Sequence, residues 1–424
     1  MKVFATFEPQ QRKNLLVLFA AGLLFWASLS SLLPTLPLYV EDIGGTTQQI
    51  GLVMGSFAVG LLLCRPTLGK LADQRSRKLV VLIGMGVVAI APLGYLFVKS
   101  IPLLLLIRAF HGICIAAYTT GNSALIVDLS PMEKRGEVIG YMSLTNPIGV
   151  AIGPAIGGFL QEQAGYTPLF LLSSGLGLLG FLFASQVQEP RIMPESMEAP
   201  VVDAQTNAVS VKPDSDKFWQ LLGRPGLRVP ALVLLTGGLV FGSVATFVAL
   251  YIREAKVDFN PGWFYTAAAI SSFGIRIITG RASDRYGRGV FITGSLVCYA
   301  LGMLLLSQGQ SPVHFLLAGL LEGAGGGTLI PMMIALLSDR SNPHERARVF
   351  SVCVGGFDVG IAIAGPVLGG FAPQLGYQGI FALSTGLALI GLIVFMTQNS
   401  KDLRHSVRFA TGRGRDVYAL DSRV

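Results

Sequence analysis

Twelve stretches of about 20 apolar residues, long enough to cross a bilayer as helices, follow one another along this chain of 424 residues. Hydrophobic residues make up 52% of the chain and charged residues only 13%, against roughly 25% charged in an average soluble domain. A water-soluble fold could not bury that much apolar surface, so the sequence predicts an all-α membrane protein. The spans are placed near residues 14–40, 48–68, 78–98, 102–127, 138–160, 168–187, 229–251, 262–280, 288–307, 313–337, 348–372 and 377–397.

Basic residues predict the orientation of these spans. With the N-terminus in the cytoplasm, all but six of the 32 Lys and Arg fall in cytoplasmic segments, as the positive-inside rule requires. The six are Lys99, Arg253 and Lys256 in outer connections, and Arg65, Arg108 and Arg276 in spans. We therefore expect both termini in the cytoplasm of a plasma membrane. The net charge of +8 then reflects topology and contact with anionic lipid, and we expect no nucleic-acid partner because no basic fold module is present.

The chain contains a copy of its own first half. The segment GKLADQRSRK at 69–78 recurs as GRASDRYGRG at 280–289, and GPAIGG at 153–158 recurs as GPVLGG at 365–370. Two six-helix halves in the same orientation follow, over 1–187 and 229–398. Residues 188–228 are polar and contain proline, which predicts a flexible cytoplasmic linker with a short interfacial helix within 218–228. Residues 399–424 are expected to form a disordered basic cytoplasmic tail.

Two parallel six-helix repeats, together with three signatures in the right order, resemble the major facilitator superfamily over about residues 10–400. The first signature is the loop segment 69–78, with Ser76 where glycine is usual. The second is LLLIRAFHGICIAA at 104–117, with His111 in place of a common glutamine. The third is GYMSLTNPIGVAIGPAIGG at 140–158, which is similar to the fifth-span motif of proton-coupled drug exporters. The resemblance implies a pseudo-symmetric twelve-helix fold that works by alternating access and is typically monomeric.

The loop signature predicts an electrostatic latch. A carboxylate at Asp73 can lie against the positive N-terminal end of another helix, which in the resembled family is the eleventh. Arg77 is expected to pair with Asp128, and the second half repeats the arrangement. For Arg65 and Arg276 the favoured interpretation is a side chain that reaches to the membrane interface, with a gate ion pair as the alternative. The predicted latch residues are Gly69, Asp73, Arg77, Asp128, Gly280, Asp284, Arg288 and Asp339.

The fifth-span glycines recur every fourth residue and therefore share one helix face, where a neighbouring helix can approach closely. The proline within the span favours a bend. We predict that this face meets its second-half copy in a pliable interface between spans 5 and 11. A well-packed, kinked helix with no role in transport is the alternative. The predicted interface residues are Gly140, Gly149, Gly153, Pro154, Gly157, Gly158, Gly365, Pro366, Gly369 and Gly370.

Charged groups at membrane depth are costly, so they indicate a function. Glu322 and Asp358 fall near the midplane of spans 10 and 11, and Glu322 is the first candidate for the proton carrier. Either carboxylate could instead neutralise Arg108 in a fixed ion pair. His111 titrates in a suitable range in water, and it is equally consistent with a packing role. Aromatic and kink-prone candidates for the substrate site are Phe25, Trp26, Pro34, Pro37, Phe241, Phe247 and Tyr251.

The function we predict is proton-coupled export of small amphipathic molecules, with the direction implied by the resemblance. The alternative is a proton-coupled importer of a sugar or another metabolite. No HExxH pair, GxSxG elbow or GxxxxGK[ST] phosphate loop occurs, so we expect neither an enzyme nor an ATP-driven pump. The four cysteines lack metal-ligand spacing, and we expect no metal and no cofactor. A receptor that binds a ligand without moving it remains open.

Overall fold

The computed structural model describes residues 7–131, 134–189, 218–342 and 345–420. Most of the predicted linker, residues 190–217, lies outside the described residues. The described residues form fifteen helices and no strand: α1 (Pro9–Ser31), α2 (Leu36–Asp42), α3 (Thr47–Gln74), α4 (Arg77–Phe97), α5 (Ile101–Leu129), α6 (Arg135–Met142), α7 (Thr145–Ala164), α8 (Tyr166–Ser185), α9 (Phe218–Gly223), α10 (Pro225–Glu254), α11 (Pro261–Tyr286), α12 (Arg288–Ser307), α13 (Pro312–Asp339), α14 (Arg346–Gln398) and α15 (Leu403–Ala410).

Local sequence explains where these helices begin and end. Thr46 and Gln49 form a capping box at the start of α3, which satisfies two backbone donors that the helix leaves free. Six of the described helices have proline at the first or second position, where its missing N–H costs nothing. Gly165 and Gly287 have φ of 82° and 85°, a backbone conformation that favours glycine. These residues end α7 and α11 and turn the chain back into the next helix.

The helices account for twelve crossings. Among the described residues, ten helical segments are long and apolar enough to span a membrane. One of them lies within α14, and Gly376, with a φ of 64°, divides this helix into spans 11 and 12. A further helix, α11, has 26 residues and supplies span 8. Span 5 is not the single helix that was predicted for 138–160, because a turn at 143–144 separates α6 from α7.

Glycines set the closest helix contacts inside the N-terminal half. A Cβ added at Gly60 would overlap the carbonyl oxygen of Ala109, and one added at Gly112 would overlap that of Phe57. The two glycines therefore let α3 and α5 touch backbone to backbone, as small residues do at helix interfaces in lipid. That contact positions Arg108 and His111, which belong to the same stretch of α5.

The two halves meet mainly through two helix pairs, α3 with α14 and α7 with α11, with smaller contacts of α10 with α2 and α3. Gly365 packs on the backbone of Gly51 in α3, while an added Cβ at Gly262 of α11 would lie 2.5 Å from the oxygen of Pro154. The predicted interface between spans 5 and 11 is therefore wrong. Each glycine-rich helix crosses to a different helix of the other half, and the internal repeat relates the contact of α7 with α11 to the contact of α14 with α3.

The individual fifth-span glycines have further partners. Gly149, Gly153 and Gly157 pack on α1 at Trp26, Ala27, Ser30 and Ser31, within the same half. Gly158 packs on Asn260 at the start of α11, and Gly369 packs on Thr47 and Gln48 at the start of α3. Gly140 lies in α6, where an added Cβ would meet nothing within 4 Å, and Gly370 is equally open.

Contact between the halves is concentrated at one end of the bundle. We call that end the closed face, and it carries the connections 43–46, 165 and 255–260. The opposite end, the open face, carries the connections 75–76 and 287 and the described residues 130, 131 and 134. Both cross-half glycine contacts lie between the closed face and the middle of the bundle. At Gly69 and Gly280, on the open face, an added Cβ would meet nothing within 4 Å.

The predicted disordered tail is wrong for residues 399–420. The segment forms α15 and then folds back on the second half, with Phe409 and Ala410 buried. Arg340, whose side chain is 1% exposed, makes two hydrogen bonds to Asp416 at 2.8 and 2.9 Å. It also donates to the oxygen of Gly226 at 2.8 Å and to Asn399. One buried arginine thus ties the ends of α10, α13 and α14 to the tail.

Replacing Asp416 with asparagine should therefore destabilise the second half. The substitution removes a charge-assisted, two-point contact to a buried guanidinium, worth about 2 kcal/mol. We expect the midpoint of thermal unfolding of the purified protein to fall by several degrees. Asp258→Asn is the control, because Asp258 is exposed in the connection 255–260. Equal midpoints for the two variants would show that the tail does not stabilise the bundle.

Candidate functional site

A cavity of about 340 Å³ lies between the two halves. Helices α1, α3, α5 and α7 line it from the first half, and α10 to α14 line it from the second. Most of its wall is apolar, as is usual for small-molecule sites. Its charged and titratable lining residues are Arg108, Tyr265, Arg276, Tyr299, Glu322 and Asp358. Every midplane charge predicted from the sequence, except His111, therefore reaches the same cavity.

Glu322 lies on α13 in the wall formed by the second half, and its side chain is almost fully enclosed, with 6% of the residue exposed. Gly323 lets α11 approach closely, since an added Cβ there would overlap the carbonyl oxygen of Ala268. No hydrogen bond or ion pair to another described residue involves its carboxyl group. Glu322 is thus a buried acid whose remaining accessible surface faces the cavity.

Asp358 has a different environment. Its carboxylate accepts a hydrogen bond from Arg65 at 2.7 Å, an ion pair that joins α14 of one half to α3 of the other. The favoured expectation that Arg65 reaches to the membrane interface is therefore wrong, and the alternative ion pair is present. Asp358 is also not the counter-ion of Arg108. The two candidate carboxylates thus differ, because Asp358 has a fixed cationic partner and Glu322 has none in the described chain.

Arg108 lies on α5 with 6% of its surface exposed. Its guanidinium stacks over the ring of Phe57, with 4.4 Å from Cζ to the ring centroid. It also lies 3.5 Å from Nδ1 of His111, which is 3.0 Å from the hydroxyl of Tyr95. An arginine can only donate, so a hydrogen bond between the two groups makes Nδ1 the acceptor, and the positive guanidinium beside the ring favours the neutral imidazole. No carboxylate of the described residues pairs with Arg108, and its Nε has no acceptor.

The other arginine that lines the cavity, Arg276, is the second-half counterpart of Arg65. Its Nε donates to the carbonyl oxygen of Gly327 at 3.2 Å, which joins α11 to α13. The side chain is partly exposed and lies toward the open face. Arg276 therefore differs from Arg65, which crosses to the other half.

Four of the predicted latch residues form two ion pairs, one within each half. Arg77 forms an ion pair with Asp128 in the first half, and Arg288 lies 3.4 Å from Asp339 in the second. Asp73 is exposed at the open face. The side chain of Asp284 lies outside the described residues. The cross-half part of the predicted latch, from Asp73 to the eleventh span, stays a prediction.

Sequence reasoning missed a polar cluster at the closed face. Arg253 at the end of α10 pairs with Glu41 at 2.9 Å and with Asp42 at 2.5 Å, which joins the two halves. Tyr166 donates to Asp42, and Asn260 donates to Glu162 across the same face. The signal in the sequence was the basic residue Arg253 in a segment predicted to lie outside, although the sequence offered no means of choosing its partners.

Only some of the aromatic residues predicted for the substrate site line the cavity. Trp26 and Phe241 line the cavity, whereas Phe25, Phe247 and Tyr251 are buried in the helix cores. The cavity also includes Phe57, Tyr265 and Tyr299, which the sequence analysis did not single out. Each is an aromatic residue in an apolar span, a pattern shared by many core residues, so the sequence held no signal for them.

Comparison with known proteins places this architecture in context. The family model of the Major Facilitator Superfamily matches residues 18–281 and 257–415. The multidrug resistance protein MdtG of Citrobacter koseri is 27% identical over 399 residues, covering 90% of this chain and 94% of that protein. MdtG of Escherichia coli K12 is 26% identical over 397 residues, covering 90% and 93%.

Two solved structures share the fold at low sequence identity. The nucleoside transporter NupG has a TM-score of 0.69 and 17% identity, covering 90% of this chain and 98% of that one. A bacterial homologue of the human lysosomal transporter Spinster, in an inward-facing and unoccupied conformation, has a TM-score of 0.70 and 15% identity. That match covers 98% of this chain and 100% of the other.

Proposed function

The chain belongs to the Major Facilitator Superfamily, and on that premise we propose that it exports small amphipathic molecules in exchange for protons. It is a multi-pass membrane protein and a secondary transporter of small molecules, not an ATP-driven pump. The observation that supports proton-coupled exchange is the buried, unpaired carboxyl group of Glu322, which lies in the wall of a cavity between two pseudo-symmetric halves.

Alternating access follows from how the halves meet. The closed face joins them by backbone contact between α3 and α14 and between α7 and α11, and by the Arg253 cluster. A molecule in the cavity reaches the other side only after these contacts separate and the open face closes. Rocking of one half against the other around a midplane site is the movement that such repeats permit.

The orientation that we propose puts the open face in the cytoplasm of the inner membrane, with both termini on that side. This orientation places the basic segments inside and makes the described conformation inward-facing. The two halves, 1–187 and 229–398, then rock as units joined by a cytoplasmic linker at 188–228, with the segment 399–424 on the same side. We propose that the transporter works as a monomer in the lipid bilayer.

In the outward-facing state, the loop signature is proposed to close the cytoplasmic side. Asp73 would then meet the N-terminal end of span 11, and Arg77–Asp128 would hold the loop in the correct position. The second copy, with Asp284, Arg288 and Asp339, would act in the same way on the symmetric helix pair. The exposed position of Asp73 in the inward-facing state supports this role, because a latch of the outward-facing state must be free here.

Proton coupling is assigned to Glu322. The other titratable or charged groups that line the cavity are Arg108, Tyr265, Arg276, Tyr299 and Asp358. Asp358 is neutralised by Arg65, and His111 is held as an acceptor beside Arg108. A carboxyl group without a permanent counter-ion can gain and lose a proton within each transport cycle, whereas a paired carboxylate resists protonation.

Export is the direction favoured by the relatives, whose names describe multidrug resistance. The test is accumulation of a panel of dyes and drugs in a bacterium that lacks its main exporters. Cells expressing the chain should accumulate less of some compounds than cells with an empty vector, and a protonophore should remove the difference. Increased, protonophore-sensitive uptake of a metabolite instead would overturn export and favour the importer.

A further inference from the structure

Two buried charges of opposite sign face the same cavity from opposite halves. Arg108 belongs to α5 and Glu322 to α13, and each residue is 6% exposed. Both line the cavity, and neither forms an ion pair with a described residue. An uncompensated charge at membrane depth is costly, and two of them in one cavity are more than structural packing requires.

The surroundings of Arg108 cannot neutralise it. The ring of Phe57 and Nδ1 of His111 interact with its guanidinium, and both groups are uncharged. Its Nε is buried without an acceptor. A guanidinium in this state presents a fork of donors that matches a carboxylate, phosphonate or sulfonate. The free donor and the positive charge both indicate an acidic group on the ligand.

Glu322 is the complement on the other wall. Helix α11 packs on one side of α13 and α12 on the other, and neither helix contributes a cation that pairs with the carboxylate. Tyr265 and Tyr299 line the cavity beside it, and their rings carry no charge. A cationic group of a ligand, such as a protonated amine, would supply the missing counter-charge.

The other charged residues in and beside the cavity do not neutralise Arg108 or Glu322. Arg65 and Asp358 neutralise each other at 2.7 Å. Arg276 is partly exposed, lies toward the open face on the same half as Glu322, and donates to the carbonyl oxygen of Gly327. The buried cavity charges that form no ion pair with a described residue are therefore Arg108 and Glu322, which lie on opposite halves. Apolar and aromatic groups such as Trp26 and Phe241 line the same cavity.

We propose that the transported molecules are zwitterionic amphiphiles, with an acidic group bound by Arg108, a basic group bound by Glu322 and an aromatic or apolar body between them. This inference rests on the proposed function and names its substrate class. It also gives the exchange a physical basis. A proton that binds to Glu322 removes the negative charge that holds the basic group, so proton binding promotes release of the ligand.

The test uses three forms of one fluorescent molecule. An aminomethyl-naphthoic acid is a zwitterion with its charges at opposite ends, its carboxamide is a cation, and its N-acetyl derivative is an anion. Binding to the purified full chain in lipid nanodiscs is measured by calorimetry at a pH where the amine is protonated. We expect the wild type to bind the zwitterion at least tenfold more tightly than either singly charged form.

Each variant should remove the preference for the zwitterion over one of the two singly charged forms. Arg108→Gln is expected to make the zwitterion and the cation bind equally, and Glu322→Gln should do the same for the zwitterion and the anion. Arg108→Lys retains the charge and should retain part of the preference for the zwitterion. Lys99→Gln, at an exposed residue of the connection 98–100, is the control and should bind like the wild type. Size-exclusion profiles and helical circular dichroism identify variants that fail to fold.

The possible outcomes separate this inference from the proposed function. If the wild type exports cationic dyes but binds the three forms equally, or binds none of them, the zwitterion inference is wrong and export stands. The same holds if Arg108→Lys and Arg108→Gln both keep the full preference for the zwitterion. If the three forms bind as expected and no compound is exported, the binding site stands and proton-driven export is wrong.

Discussion

Glu322→Gln is expected to abolish proton-driven export while the protein still folds. Glutamine has nearly the same shape as glutamic acid, but it cannot exchange a proton, so the cavity would hold a permanently neutral group. In proteoliposomes with an imposed pH gradient, export of an amphipathic dye should fall at least tenfold, to the rate without a gradient. Exchange of labelled for unlabelled dye, which needs no net proton movement, should persist.

Asp358→Asn provides the comparison for that result. It breaks the ion pair with Arg65, which weakens a contact between the halves but leaves the proposed carrier intact. We expect slower transport that still responds to the pH gradient. If Asp358→Asn loses the response and Glu322→Gln retains it, the proton carrier is Asp358, and the assignment from the unpaired state of Glu322 is wrong.

Gly365→Ala should produce the second large effect, on the conformational equilibrium. An added Cβ at Gly365 would overlap the backbone oxygen of Gly51, so α3 and α14 could not keep their contact at the closed face. The inward-facing state needs that contact, whereas the outward-facing state does not. We expect the population to shift outward and transport to fall at least tenfold.

Gly370→Ala is the matched control, because it lies on the same helix and an added Cβ would meet nothing within 4 Å. Both substitutions replace a helical glycine with alanine, so both change the helix propensity by the same amount. A difference in transport or conformation between the two variants therefore results from the α3–α14 contact. Distances between spin labels at the exposed residues of the connections 43–46 and 255–260 measure the opening of the closed face. Equal distances and equal transport in the two variants would contradict the role that we give to the α3–α14 contact.

The candidate site shows how far sequence reasoning reached. Membrane depth and charge selected Arg108, Glu322 and Asp358, and all three line one cavity. Sequence could not decide which acid was free, because the partner of Asp358 is Arg65, 293 residues away. The same limit hid the pairing of Arg253 with Glu41 and Asp42, since ion pairs between distant segments depend on how whole helices dock.

The two incorrect predictions, the interface between spans 5 and 11 and the disordered tail, also arose because contacts between distant residues cannot be read from local sequence. A glycine repeat specifies that a helix has a smooth face, but it does not specify which helix lies against that face, so spans 5 and 11 were paired with each other. The tail was assigned by its basic composition, while its structure depends on Asp416 reaching the buried Arg340. The average composition of a segment does not reveal a single buried contact, although such a contact can determine how the whole segment folds.

The sequence by itself determined the class of protein, the number of crossings, the internal repeat and the depth of each charge. These properties follow from local composition and periodicity, because the bilayer requires every span to satisfy its own backbone as an apolar helix. Only the tertiary structure decided which helices cross between the halves, which face is closed and which buried charges remain unpaired. Those properties depend on contacts between residues far apart in the chain, and packing in three dimensions selects among many pairings that the same local patterns allow.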